Sequence, residues 1–176
     1  STKNVAIGTG SMSGAMNAAT SNTCVGYKSG AAITQGDYNT CIGFNAGDSI
    51  TTGGVNVILG AGAGAGISTM SKCVLIGVDA GDALTTNTEA DGTVAIGDNS
   101  LSQLTSGEKN VAVGYQAGKA MTTSDGNVII GYDAYAVGNN ADGTGHNVMI
   151  GSGVCDTGTN ANIRENVFIG YEVASA

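Results

Sequence analysis

The chain has 176 residues, of which 30 are glycine and none is proline or tryptophan. Six basic residues against 14 acidic ones give a net charge of −8, and the lysines are scattered. Phosphate recognition needs clustered Lys and Arg, so this balance disfavours nucleic acid and anionic lipid as partners. No apolar run approaches the ~18 residues of a membrane span, so no membrane insertion is expected. No signal-peptide pattern precedes the first repeat. Glycine without a G-X-Y period excludes collagen.

Ten short strands are predicted in chain order, each written as nearly the same five-residue segment. They begin at Asn4 (NVAIG), Asn22 (NTCVG), Asn39 (NTCIG), Asn56 (NVILG), Cys73 (CVLIG), Thr93 (TVAIG), Asn110 (NVAVG), Asn127 (NVIIG), Asn147 (NVMIG) and Asn166 (NVFIG). Successive copies are 17 to 20 residues apart, most often 17. A period this short marks a solenoid, in which a single repeat cannot bury its own apolar face. The repeat spans the chain without a linker, which predicts one domain over 1–176, uncapped at both ends. Helix fits poorly, because glycine recurs too often and apolar residues follow period two. The expected fold is an all-β parallel β-solenoid (β-roll or β-helix) of about ten coils with repeats of ~17 residues. At ~4.8 Å per stacked strand the rod would be roughly 48 Å long.

Within the repeat, the second position is Val or Thr and the fourth is Ile, Val or Leu, as in Val5/Ile7 and Thr40/Ile42. Alternation bounded by glycine reads as a strand with these two side chains filling the coil. The fifth position is glycine in all ten copies, where a Cβ would obstruct a bend or a close backbone approach. Small residues at the eighth position (Ala46, Ala63, Ala80) and aliphatic ones at the twelfth (Ile33, Ile50, Ile67, Leu84) predict a narrow core between two walls. The polar return turn absorbs the extra residues at Asn87–Gly92 and Asn139–His146.

The third position has the opposite parity from the second and fourth, and on this reading it faces outward. It holds Ala6, Cys24, Cys41, Ile58, Leu75, Ala95, Ala112, Ile129, Met149 and Phe168, none of them polar. An outward apolar stripe needs a cover, so these ten residues are the expected oligomer interface, with a returning segment of the same chain as the alternative cover.

Segments such as Asn110–Gly118 (NVAVGYQAG) and Asn39–Gly47 (NTCIGFNAG) resemble head repeats of trimeric autotransporter adhesins. They are still more similar to the Asn-Thr-Ala-Ile-Gly repeats of bacteriophage tail fibres. The resemblance implies a trimer of parallel β-rolls whose inward strands build the threefold interface. It also implies a place on a virion or at the cell surface, and a cell-surface receptor or glycan as partner.

Catalytic parts are lacking. His146 is the single histidine and lies in a turn insertion, there is no G-x-S-x-G elbow, and Gly60–Gly66 (GAGAGAG) lacks the lysine and helix of a phosphate loop. No enzyme activity, cofactor or metal site is expected. Cys24, Cys41, Cys73 and Cys155 lack zinc-ligand spacing. Cys24 and Cys41 share a repeat position one coil apart, which allows either a disulfide or buried free thiols. Turn aspartates such as Asp37, Asp48, Asp79, Asp82, Asp125, Asp133 and Asp142 read as acidic turns, with adventitious calcium as the alternative. The first-position Asn, present in eight copies, predicts an internal amide ladder.

The function expected from these observations is a non-enzymatic structural fibre segment, of viral tail-fibre or surface-adhesin type. The alternative is an extracellular filament subunit that associates end to end. An ice-binding solenoid is a further alternative, resting on the threonine file Thr34, Thr51, Thr85, Thr105 and Thr122.

Overall fold

A computed structural model describes residues 3–15, 17–84, 90–136, 145–155 and 163–174. Ten three-residue strands follow one another: β1 (Val5–Ile7), β2 (Thr23–Val25), β3 (Thr40–Ile42), β4 (Val57–Leu59), β5 (Val74–Ile76), β6 (Val94–Ile96), β7 (Val111–Val113), β8 (Val128–Ile130), β9 (Val148–Ile150) and β10 (Val167–Ile169). They form one parallel sheet in sequence order, the wall of a β-solenoid of about eight turns with a repeat of about 17 residues. Every pairing sets a repeat position against the same position of the next repeat, as where Cys24 opposes Cys41, Ile58 opposes Leu75, and Ala95 opposes Ala112. A parallel sheet requires a long crossover between neighbours, and here each crossover is the remainder of one repeat.

The chain turns by left-handed residues at fixed places. In each repeat the residue before the first position, the seventh and the ninth all have positive φ, as at Lys109 (60°), Gln116 (54°) and Gly118 (66°). The run Gly60–Gly66 is this pattern filled with glycine, since Gly62 and Gly64 occupy the seventh and ninth positions at φ 69° and 55°. A Cβ on Gly64 would stand 2.8 Å from Leu75 Cδ1, so the run reflects close packing of the coil. The fifth-position column is tighter still. At Gly114, with φ 138°, a Cβ would lie 2.2 Å from the carbonyl oxygen of Gly131 in the next turn.

The narrow two-walled core is present, but the strand contributes a different residue to it than expected. Ile33, Ile50, Ile67, Leu84, Leu104 and Met121 at the twelfth position are buried, and so are Ala46, Ala63, Ala80, Ala117 and Ala134 at the eighth. Opposite them the sheet supplies its third position. Cys24, Cys41, Ile58, Leu75, Ala95, Ala112 and Ile129 are wholly inaccessible and Met149 nearly so, while Phe168 is partly buried against the same core. Ala6, in the first strand, is exposed. The proposed outward interface at these ten residues is therefore corrected: the third position fills the coil, and the second and fourth positions face out. Full burial of a side chain such as Ile129 is worth about 1.5–3 kcal/mol.

The reason lies in the first position. Asn22, Asn39, Asn56, Asn110, Asn127 and Asn147 are buried, and side chains two apart on a strand share a face. Each of these asparagines except Asn110 joins the turn before it. The Asn39 backbone N–H and Nδ2 both donate to Asn22 Oδ1, at 2.8 and 3.1 Å, and Nδ2 also donates to Gly53 O at 2.9 Å. Asn56 repeats this set on Asn39 and Met70. The amide ladder read from the sequence is thus present, and it places the odd positions inside.

Candidate functional site

With the odd positions inside, the sheet turns its second and fourth positions to solvent. The second is Val or Thr and the fourth Ile, Val or Leu in every repeat, so twenty successive outward positions carry no charge. Their flanks, the residue before the first position and the sixth position, add larger apolar groups in some repeats and charged ones in others, at Lys3, Lys72, Lys109, Glu165 and Asp98. Among the described residues, all fifteen exposed large apolar side chains fall in these four files. Val5, Val57 and Val167 lie in the second-position file, and Ile7, Ile42, Ile130 and Ile169 in the fourth. Tyr38 and Val55 stand before the strands; Tyr27, Phe44, Val78, Tyr115, Tyr132 and Tyr171 stand after them. The remaining walls carry none.

Strand spacing stacks the aromatic file on itself. Tyr27 lies on Phe44, and Tyr115 on Tyr132, each pair with ring centroids 5.3 Å apart and planes within 14°. The Lys28 ammonium sits 5.5 Å over the Tyr27 ring, and Gln116 Nε2 donates to the Tyr115 hydroxyl at 2.9 Å. The second and fourth files are mostly β-branched and stand upright on the sheet with few accessible rotamers. A surface of such residues loses little side-chain entropy when covered.

The face is large. Four files spanning six residue steps are about 20 Å wide, and nine strand steps are about 43 Å long, so the face is on the order of 850 Å². One partner in a specific interface typically buries about 800 Å², which is the size of this wall with its charged flank positions included.

Several of the other candidate groups are occupied in holding turns together. The four cysteines are free and buried. The Cys41 thiol, hydrogen-bonded to Cys24 and desolvated, is held protonated well above its ordinary range, while the same bond lowers Cys24. Burial pushes Cys73 up to about 11. Asp37 Oδ1 accepts the backbone N–H of Thr20 at 2.7 Å, Asp91 that of Ser71 at 2.7 Å, and Asp125 that of Glu108 at 2.9 Å. His146 is an exposed turn residue with φ 64°.

The threonine file is spent in the same way: Thr34, Thr51 and Thr105 donate their hydroxyls to carbonyls of the following turn. Thr85 and Asp142 lie outside the described residues. No described helix is long and apolar enough to cross a membrane. Comparison of the chain with family models, with curated proteins and with solved structures finds no match.

Reading the sequence as strands located this face but assigned it to the core. The signal that would have placed it is the parity shared by the first-position Asn and the third position.

Proposed function

We propose that the chain is a structural fibre segment whose apolar sheet face packs against further copies of itself, three around a common axis along the rod. The carrying observation is the confinement of every described exposed large apolar side chain to one wall. A face whose strand positions carry no charge, with Lys3, Lys72, Asp98, Lys109 and Glu165 confined to its flanking files, runs the whole described length of a chain with net charge −8 and calls for a cover of equal length and periodicity. A second copy of the same solenoid has both. Each copy has a net charge of −8, and the uncharged strand positions are where like copies repel least, which orients the encounter.

The fibre would be of tail-fibre or surface-adhesin type, on a virion or at a cell surface, displaying an attachment surface and carrying out no chemistry. The support for that class is the repeat's resemblance to such fibres together with the stacked, hydrogen-bonded geometry of the rod.

Sedimentation equilibrium tests the reading. The native chain is expected to be a trimer, and the double variant Ile42→Asp/Ile130→Asp a folded monomer with an unchanged circular dichroism spectrum. A monodisperse native monomer at micromolar concentration would overturn it.

A further inference from the structure

We infer that the rod carries a built-in hinge at its fifth and sixth repeats, where the asparagine corner opens while the strands on either side stay paired. The observation is a break in the amide ladder. From Asn4 to Asn56, and again from Asn110 to Asn166, each asparagine after the first of its run donates to the side-chain oxygen of the asparagine one repeat earlier. Six joints (22 to 4, 39 to 22, 56 to 39, 127 to 110, 147 to 127 and 166 to 147) each have both a backbone N–H and an Nδ2 on one Oδ1. Between the two runs stand Cys73 and Thr93.

Both replacements sit in the asparagine's place and reach for the asparagine's carbonyl, Cys73 through a thiol, which is a weak donor, and Thr93 through a hydroxyl at the limit of hydrogen-bond distance. Cys73 Sγ lies 3.5 Å from Ala90 O, and Thr93 Oγ1 lies 3.5 Å from Gly107 O. The corresponding amide bonds of Asn22, Asn39 and Asn110 are 2.7 to 2.9 Å. Cys73 still donates its own N–H to Asn56 Oδ1 at 3.0 Å. The Thr93 N–H, however, meets the Cys73 sulfur in place of an amide oxygen, and sulfur is a weak acceptor.

A second column loosens at the same level. The backbone bond made by the residue before the first position measures 2.9 to 3.1 Å at Tyr38, Val55, Lys72, Gly126 and His146. It lengthens to 3.2 Å at Gly92 and 3.4 Å at Lys109, with 3.3 Å at Glu165 in the last repeat. The strand bonds across the break keep their length, with Val74 N to Thr93 O at 2.9 Å and Val94 N to Asn110 O at 2.8 Å. One corner of the coil is therefore weak and the adjoining wall is not, which is the geometry of a hinge. This inference stands independently of what covers the apolar face.

Hydrogen exchange on the full chain, read amide by amide, tests it. The amides of Gly92, Thr93 and Lys109 are expected to exchange at least tenfold faster than those of Tyr38, Asn39 and Asn56. Val74 and Val94 should match Val57 and Val111. The double variant Cys73→Asn/Thr93→Asn restores a continuous ladder and should slow the Thr93-position amide by roughly tenfold, since one recovered buried hydrogen bond is worth about that factor. Equal protection of Thr93 and Asn39 in the native chain overturns the hinge, whether or not the variant folds. Loss of protection at Val74 and Val94 together with Thr93 also overturns it, because the whole turn would then open as a unit.

Discussion

Ile129 and Ile130 are neighbours of identical chemistry with opposite fates. Ile129 is inaccessible in the coil, whereas Ile130 is 37% exposed on the outer wall. The same contrast runs along the whole sheet: inward and outward files are both apolar, but only one is sealed by its own chain. The lesson is that hydrophobicity alone did not sort the two faces. What sorts them is the polar residue that shares a parity with one of them, because a first-position amide can satisfy its hydrogen-bonding groups only inside the stack. An apolar file that this rule pushes outward is then a surface awaiting a partner.

The sharpest way to break the comparison is to place the same charge on each side of it. Ile129→Asp should abolish folding, because an unpaired carboxylate in this core costs more than a small domain's margin of stability. Ile130→Asp should leave the circular dichroism spectrum and melting of the separated chain nearly unchanged, and remove only association. If both variants unfold, or both stay folded, the assignment of the faces is wrong.

A smaller but still severe effect is expected at the end of the strand. Gly114→Ala puts a methyl where the Gly131 carbonyl stands, at a left-handed φ of 138°, and should cost upwards of about 3 kcal/mol in denaturant titration. Asn39→Ala tests the ladder that fixes the parity. It strips the acceptor from the Asn56 N–H and Nδ2 and the donor from Gly53 O, and should cost on the order of 2–4 kcal/mol. A cost near zero would mean that the amides do not decide which face is inside.

The smallest effect concerns pH and the wall opposite the sheet. Burial, and then the neighbouring Asp79, raise the Asp82 carboxyl above its ordinary range, and Asp82 Oδ1 is buried without a partner. A raised folded-state pKa favours the fold below the unfolded value of about 3.9, and that contribution is lost as pH rises through the folded value. Asp82→Asn should therefore remove a contribution to stability that falls as pH rises above about 4, seen as a flatter melting-temperature profile in a thermal scan. A steeper fall in the variant would reverse the sign of the argument.

Much of the architecture was legible in the sequence. The period, the ten strands, their parallel register and the small-against-large core of Ala46 and Ile50 all follow from aligning the copies. The amide ladder also followed, from Asn recurring at one position. The error was local and avoidable in principle. An internal Asn39 and an outward Cys41 are incompatible at period two, and the internal amide should have decided the matter. The left-handed turns were less legible: Lys109 and Leu101 adopt positive φ although neither residue type advertises it. There the tight stack of neighbouring turns overrides local preference. The weak corner at Cys73 and Thr93 was visible as two missing asparagines, but its meaning depended on knowing what an asparagine does there.

The in-register stacking of like on like has a consequence for inheritance. Excising residues 23–39 would rejoin Asn22 to Thr40, and asparagine would still meet strand, glycine and turn in the same order. The shortened rod would lose one step of about 4.8 Å and no type of bond. Recombination between similar copies in the gene could lengthen or shorten such a rod in whole steps. A lineage could thus adjust reach without redesigning any single turn.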